Sequence, residues 1–134
     1  MNWRMIVAAF AAADLVGPAQ TQEDRSSGNY MLPLCKTWLR MGSRDLDVIK
    51  NEIRACDAKS GGIPIYFMQA GMCAGVVIGI SAMLEPMACV PNEVTNEQLV
   101  RVVVTSIEKY PATRHENFSA LAGAAMVTEW PCHR

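Results

Sequence analysis

The sequence predicts an all-α fold, a small disulfide-stapled bundle of four main helices and one peripheral helix. Apolar residues recur at helical spacing in several segments, and signals for helix starts precede the last two of them. Cys89 and Cys132 bracket this final pair of segments. The length of 134 residues fits one domain, and 51% hydrophobic with 19% charged residues is typical of a globular protein.

The N-terminus has the pattern of a secretory signal over residues 1–19. Arg4 precedes an apolar stretch over residues 5–16, and the small residues Gly17 and Ala19 suit cleavage after Ala19. A polar, flexible lead-in over residues 20–27 follows, so the domain is predicted over 28–134. The alternative is an alanine-rich helix of a cytosolic protein. Export would place the five cysteines in an oxidising compartment, where small domains gain stability from disulfides.

Two helices are predicted in the first half of the domain. Pro33 suits the first turn of the first helix, which Gly42 ends. Ser43 is positioned to cap the second helix. The second helix has only a narrow apolar stripe and is therefore predicted to be peripheral. The apolar faces are Leu34, Trp38 and Met41 in the first helix, and Leu46, Ile49 and Ile53 in the second.

Residues 63–84 contain no charged side chain and predict a third helix beginning near Pro64. Three glycines stand four residues apart, at Gly71, Gly75 and Gly79. A transmembrane span with a small-residue packing face is one interpretation. A central helix buried on every side, with a close neighbour over the glycines, is the other. The stretch is only mildly hydrophobic, which favours the buried helix and predicts no membrane span.

The last two helices have the clearest start signals. Thr95 with Gln98, and Thr113 with Glu116, match the capping-box pattern. Pro111 separates the two helices, and so short a connection predicts an antiparallel hairpin. The inward residues are predicted to be Leu99, Val100, Val103, Val104, Ile107 and Tyr110, then Phe118, Leu121, Ala122, Ala125 and Met126.

The segment Cys89-x-Pro91-x-x-Val94-Thr95-x-x-Gln98-Leu99 resembles the signature of the type VI secretion amidase immunity proteins, the Rap/Tai family. The resemblance extends over residues 28–132. It includes Gly28 with Asn29 and Cys35, Cys73 with Gly75 and Gly79, Tyr110 with Pro111, the triplet at 114–116, and Trp130-Pro131-Cys132.

This resemblance implies a small periplasmic helical protein, often a homodimer, that covers the active-site cleft of a peptidoglycan-cleaving amidase. It also implies the disulfides Cys35–Cys73 and Cys89–Cys132 and leaves Cys56 as a free cysteine. The residues alone allow fifteen ways of forming two bridges from five cysteines. For Cys56, burial and a link between two chains are both open.

Exposed polar groups are expected at both helix starts of the hairpin. We expect a partner-binding rim there, since a rigid backbone limits the entropy lost on binding. For the second cluster the alternative is a solvated helix start with Glu116 as its own cap. The candidate residues are Asn92, Glu93, Asn96, Glu97, Arg114 and His115.

Catalysis is not expected. The two histidines, His115 and His133, have no recognisable nucleophile beside them, and motifs for serine hydrolases, zinc peptidases and phosphate loops are absent. A metal site at Cys132 and His133 matches no zinc spacing. No cofactor is therefore predicted. The net charge of −1 argues against nucleic acid as a partner.

The sequence therefore predicts a periplasmic immunity-type protein that inhibits a cell-wall amidase and has no enzymatic activity. The alternative is an envelope structural or chaperone-like binding module without a toxin partner, which the long segment 41–62 and departures from the family pattern at Val76 and Ser81 favour. A membrane-anchored subunit using residues 63–84 as its span is a third possibility.

Overall fold

The computed structural model describes residues 24–42, 46–59 and 63–132. This part of the chain is helical, and its only β-type pairings are two isolated bridges, Ser27 with Asn117 and Ala88 with Pro131. The predicted all-α fold class is confirmed. The predicted signal, the Ser43 cap and His133 lie outside the described residues. The helices are α1 (Gly28–Met41), α2 (Leu46–Lys59), α3 (Ile63–Met83), α4 (Asn96–Lys109) and α5 (Phe118–Glu129).

Helix α1 begins at Gly28, five residues before the predicted start at Pro33. Ser27 is the N-cap, and its hydroxyl accepts a hydrogen bond from the backbone N–H of Tyr30 at 3.3 Å. The same hydroxyl donates to the carbonyl of Asp24 at 2.8 Å. Pro33 lies inside the helix, where it removes one intrahelical donor. The N-cap at Ser27, and not Pro33, therefore sets the start of α1. Gly42 ends the helix as predicted.

The first turn of α1 is hydrogen-bonded to the connection between α4 and α5. The N–H of Gly28 donates to the carbonyl of Glu116 at 3.0 Å, and that of Asn29 donates to Arg114 at 2.7 Å. In return, Phe118 donates to the carbonyl of Ser26 at 2.6 Å. The first N–H groups of a helix lack intrahelical partners. Here carbonyl groups far away in the sequence accept their hydrogen bonds. Residues 24–27 are therefore part of the packed structure, although the sequence places them in the lead-in.

Helix α3 buries one side only, so the prediction of a helix buried all round is wrong. Ala70, Cys73, Ala74 and Val77 face the core and are at most 6% exposed. A Cβ atom added at any of the three glycines predicted to meet a neighbour (Gly71, Gly75, Gly79) would have no heavy atom within 4 Å. In the described part of the chain, the buried residues of α3 lie on the side that faces away from these glycines. Of the helices in the described ranges, none has the length and hydropathy that a membrane crossing requires.

The core lies where α1 and α3 meet the α4–α5 hairpin. Cys35 of α1 is bonded to Cys73 of α3, with 5.2 Å between the Cα atoms and no solvent exposure at either residue. Helix α2 packs on α1 and α3 at the edge of the bundle, as a peripheral helix. The other fully buried side chains of greatest volume are Phe118, Met126, Val77, Val100 and Val103.

Two details of the hairpin differ from prediction. Tyr110 is 54% exposed because α4 ends at Lys109 and the chain turns away from the core at this residue. The capping box predicted at Thr113 and Glu116 is absent, since residues 111–113 form a 3₁₀ turn. Asn117 caps α5 instead, where its side-chain oxygen accepts from the N–H groups of Ser119 and Ala120 at 2.9 and 3.3 Å.

A second disulfide closes the other end of the hairpin. Cys89 precedes α4 and is bonded to Cys132 after α5, with 5.0 Å between the Cα atoms. The backbone N–H of Cys89 also donates to the carbonyl of Trp130 at 2.9 Å. Both cysteine pairs are the ones that the family resemblance implies. They span sequence separations of 38 and 43 residues, and each stabilises the fold by on the order of 4 kcal/mol in the chain-entropy model.

Gly28→Ala is expected to destabilise the protein by about 1–3 kcal/mol, the usual cost of overpacking. The added Cβ would lie 2.7 Å from a methyl group of Leu121 and 2.9 Å from the carbonyl oxygen of Arg114, and this backbone atom cannot rotate away. Urea unfolding followed by circular dichroism measures the change. The matched control is Gly123→Ala inside α5, whose nearest contact is a Leu84 methyl at 3.8 Å. This control should stabilise by up to about 1 kcal/mol. Equal stability of the two variants would contradict the close-packing argument.

Native reduction is expected to open Cys89–Cys132 before Cys35–Cys73. Cys89 is exposed and Cys132 half-buried, whereas both partners of the other bond are inaccessible to a reductant. Free thiols are blocked first, a reductant is then titrated, and newly formed thiols are alkylated and assigned by mass spectrometry. In denaturant both bonds should open together. Earlier labelling of Cys35 or Cys73 in native buffer would show that the core opens more readily than the hairpin end.

The ion pair between Lys36 of α1 and Glu108 of α4, at 2.7 Å, makes part of the stability pH-dependent. The pKa of Glu108 lies below its ordinary value because Lys36 donates a hydrogen bond to the carboxylate and attracts its charge, with a smaller contribution from Arg114. A carboxylate whose pKa is lower in the folded than in the unfolded protein stabilises the fold at pH values above its unfolded-state pKa. This stabilisation is lost as the pH falls through the folded-state pKa.

Lys36→Met is therefore expected to raise the pKa of Glu108, which NMR titration measures. The variant should also be less stable than wild type near neutral pH, and this difference in the free energy of unfolding should shrink as the pH is lowered. Lys50→Met on α2 removes a charge whose partner Asp47 lies 4.0 Å away, and it should leave the Glu108 titration unchanged. An unaltered Glu108 midpoint in the Lys36 variant would refute the assignment.

Candidate partner-binding surfaces

The start of α4 is a rigid corner of the molecule. Thr95 accepts from the N–H of Gln98 at 3.2 Å, and the Gln98 side chain accepts from the N–H of Thr95 at 2.8 Å. The predicted capping box is thus confirmed. The Cys89–Cys132 bond holds the segment before it against the end of α5. Local capping and the covalent tie together limit the motion of this corner.

Four predicted candidates project from this corner, and we call Asn92, Glu93, Asn96 and Glu97 the polar rim. All four side chains are exposed. The carboxylate of Glu97 accepts a hydrogen bond from the guanidinium of Arg101 at 2.6 Å, one turn along the helix. Glu93 and Glu97 stand near the N-terminus of α4, where the helix dipole favours negative charge. The rim therefore offers carboxylate and amide groups on a fixed backbone.

The other two predicted candidates lie at the opposite end of the hairpin. Arg114 is half-buried, and its guanidinium donates to the carbonyls of Ile107 and Glu108, both at 3.3 Å. It thereby caps the C-terminus of α4, where a cation is favourable. His115 is exposed beside it. Helix α4 is about 20 Å long at 1.5 Å per residue, so the structure does not bring the two groups of candidates together.

A groove between α4 and α5 runs beside α4 from Val94 to Tyr110, and sequence reasoning missed it. Its cavity volume is about 610 Å³. Val102 lies off the inward stripe of α4 and lines the groove, but its place within the apolar run Val102–Val104 gives no local signal for it. Trp130 is half-buried and Tyr110 exposed, and the Lys109 ammonium lies 5.4 Å from the centre of the Tyr110 ring. The lining residues are Val94, Gln98, Arg101, Val102, Thr105, Ser106, Lys109, Tyr110, Ala125, Thr128, Glu129 and Trp130.

The side chains of these surfaces are of the kinds that contact protein partners. Four cysteines are held in disulfides, and Cys56 lies in α2. In the described ranges, no three His, Cys, Asp or Glu side chains are grouped to hold a metal ion. His115 is exposed and does not adjoin any of the bonded cysteines in sequence. Exposed polar groups on a rigid corner and an aromatic-lined groove are features of protein–protein contacts.

Comparison with known proteins gives one family match. The family model described as Rap1a immunity proteins matches residues 27–132. No curated protein and no solved structure matches the chain significantly. The matched region begins at the Ser27 cap and ends at Cys132, so it includes both disulfides, the polar rim and the groove. With this match over most of its length, and with the disulfide-bonded helical fold described above, the chain belongs to the Rap1a immunity protein family.

Proposed function

We propose that this immunity protein acts in the periplasm, as a homodimer, by binding and inhibiting a peptidoglycan-cleaving amidase effector of type VI secretion. The observation that carries the proposal is the family match over residues 27–132. Two further features support the compartment. Residues 1–19 have the pattern of a secretory signal, and structural disulfides persist mainly in oxidising compartments.

Inhibition by a domain of this kind requires occlusion and no catalysis. Peptidoglycan is a polymer, and a helical domain seated across an amidase cleft would block its approach sterically. The polar rim suits this role because its backbone is held by the Thr95 cap and the Cys89–Cys132 bond. Preordered groups lose less conformational entropy on binding, so more of the contact energy appears as affinity.

The groove supplies a second element of recognition. Aromatic side chains at interface centres contribute disproportionately to affinity, and Tyr110 and Trp130 both line the groove. A volume of about 610 Å³ is enough for a few side chains of a partner. The rim would then give charge complementarity, and the groove would give apolar anchoring along α4.

The test begins with affinity capture of the oxidised protein against envelope and secreted fractions of its bacterium and competitors. We expect stoichiometric recovery of one amidase and a loss of its activity on purified peptidoglycan. Glu93→Lys on the rim should weaken inhibition about 10-fold or more, the equivalent of 1.4 kcal/mol. Tyr110→Ala in the groove should do the same by removing an anchor.

The matched control is Asp47→Lys, the same kind of charge reversal at an exposed position of α2. It should leave inhibition unchanged. Capture of no cell-wall hydrolase, or full amidase activity in the presence of excess protein, would exclude the proposed function. Recovery of many unfolded polypeptides would support a chaperone-like module instead.

A further inference from the structure

The outward face of α3 is an apolar surface that nothing in the described chain covers. We use this name for Met68, Gly71, Met72, Gly75, Gly79 and Met83. The exposed fractions are 69% for Met68, 43% for Met72 and 81% for Met83. Soluble monomers rarely expose contiguous apolar patches of more than a few hundred Å², and larger ones mark interaction sites.

The face is also free of charge. No Asp, Glu, Lys or Arg occurs between residues 63 and 84. When identical surfaces meet across a twofold axis, every charge near the axis faces its own copy, and like charges there oppose association. A face without charge avoids this repulsion and is electrostatically compatible with itself.

Its shape suits close contact between two helices. Gly71, Gly75 and Gly79 are spaced about one turn apart and form a strip of accessible backbone, since a Cβ at each position would meet nothing within 4 Å. Met68 and Met72 stand beside this strip. In a symmetric crossing, flexible methionine side chains of one copy can lie in the glycine strip of the other.

We propose that the outward face of α3 is the contact through which two copies of this chain pair. This inference takes from the proposed function only the expectation that the protein is a homodimer, and it assigns the surface through which the dimer forms. Helix α3 has 21 residues and is about 30 Å long. A helix of this length with exposed methionines can form the centre of a contact burying about 800 Å² per partner, the standard size of a stable interface.

A second copy fits this face better than an effector does. Obligate interfaces are the more apolar and the more depleted of charge, because the surfaces never need to remain in water alone. An immunity protein must stay soluble before its effector arrives, so a surface left for the effector is expected to be polar. The polar rim meets this requirement and shares no residue with the α3 face. Each copy would keep its own rim and groove, which predicts two effector molecules per dimer.

The test compares full-length exported, oxidised protein with its Gly75→Glu variant by analytical ultracentrifugation over a range of concentrations. The variant should retain its helical circular dichroism, because the position is open and glutamate is a better helix former than glycine. The dimer dissociation constant should rise roughly 100-fold or more, since the two carboxylates would be buried against each other. Ala124→Glu on the exposed side of α5 is the control and should leave the dimer intact.

A second measurement uses methionine oxidation by peroxide. Met68 and Met72 should be protected in the wild-type dimer and reactive in the folded Gly75→Glu variant. A wild-type protein that is monomeric throughout, or a Gly75→Glu variant that dimerises as tightly, would overturn the inference. Binding of a monomer to vesicles of phosphatidylethanolamine and phosphatidylglycerol through this face would overturn it as well.

No amidase is present in these measurements, so the two proposals fail separately. A monomer that inhibits an amidase would exclude the α3 contact and the homodimer, and it would leave the proposed inhibition of the amidase standing. An α3-paired dimer that binds no hydrolase would exclude the proposed function and leave the contact standing.

Discussion

The disulfide between Cys35 and Cys73 is the constraint on which the arrangement of the bundle depends. Helix α3 is apolar on all sides, so burial of hydrophobic surface alone gives little preference for one face over another. The bond places α3 against α1 at 5.2 Å between the Cα atoms, in the solvent-free centre of the core. Ala70, Ala74 and Val77 lie on the same side of the helix and are buried with it. The glycines are thereby left outside.

The α4–α5 hairpin is held at both ends by different means. At one end the Cys89–Cys132 bond joins the segments that flank the two helices. At the other, carbonyls of the connection accept from the first N–H groups of α1, at a separation that only Gly28 permits. Arg114 caps α4 within this contact. A hairpin fixed in this way presents the polar rim with little freedom to rearrange, which is the physical condition for a preorganised binding surface.

The protein presents two surfaces of contrasting chemistry. The polar rim and the groove combine carboxylates, amides and aromatic rings, a mixture that can distinguish one partner from another. The outward face of α3 has neither charge nor directional hydrogen-bonding side chains, and it suits a partner that is always present. Arg114 was expected on the partner-facing surface, but its guanidinium is engaged with backbone carbonyls. The sequence cannot distinguish these uses, because an arginine beside a helix end is compatible with both.

The sequence by itself determined the helical class, the start of α4 and the inward stripe of Leu99, Val103 and Ile107. These features depend on residues three or four positions apart, whose contacts form within one helix. Tertiary structure alone decided that Ser27 and Asn117 cap α1 and α5, where Pro33 and Thr113 offered competing local signals. It also decided which side of α3 faces water and that a groove lies beside Val102. These choices depend on partners far away in the chain, and no local pattern encodes them.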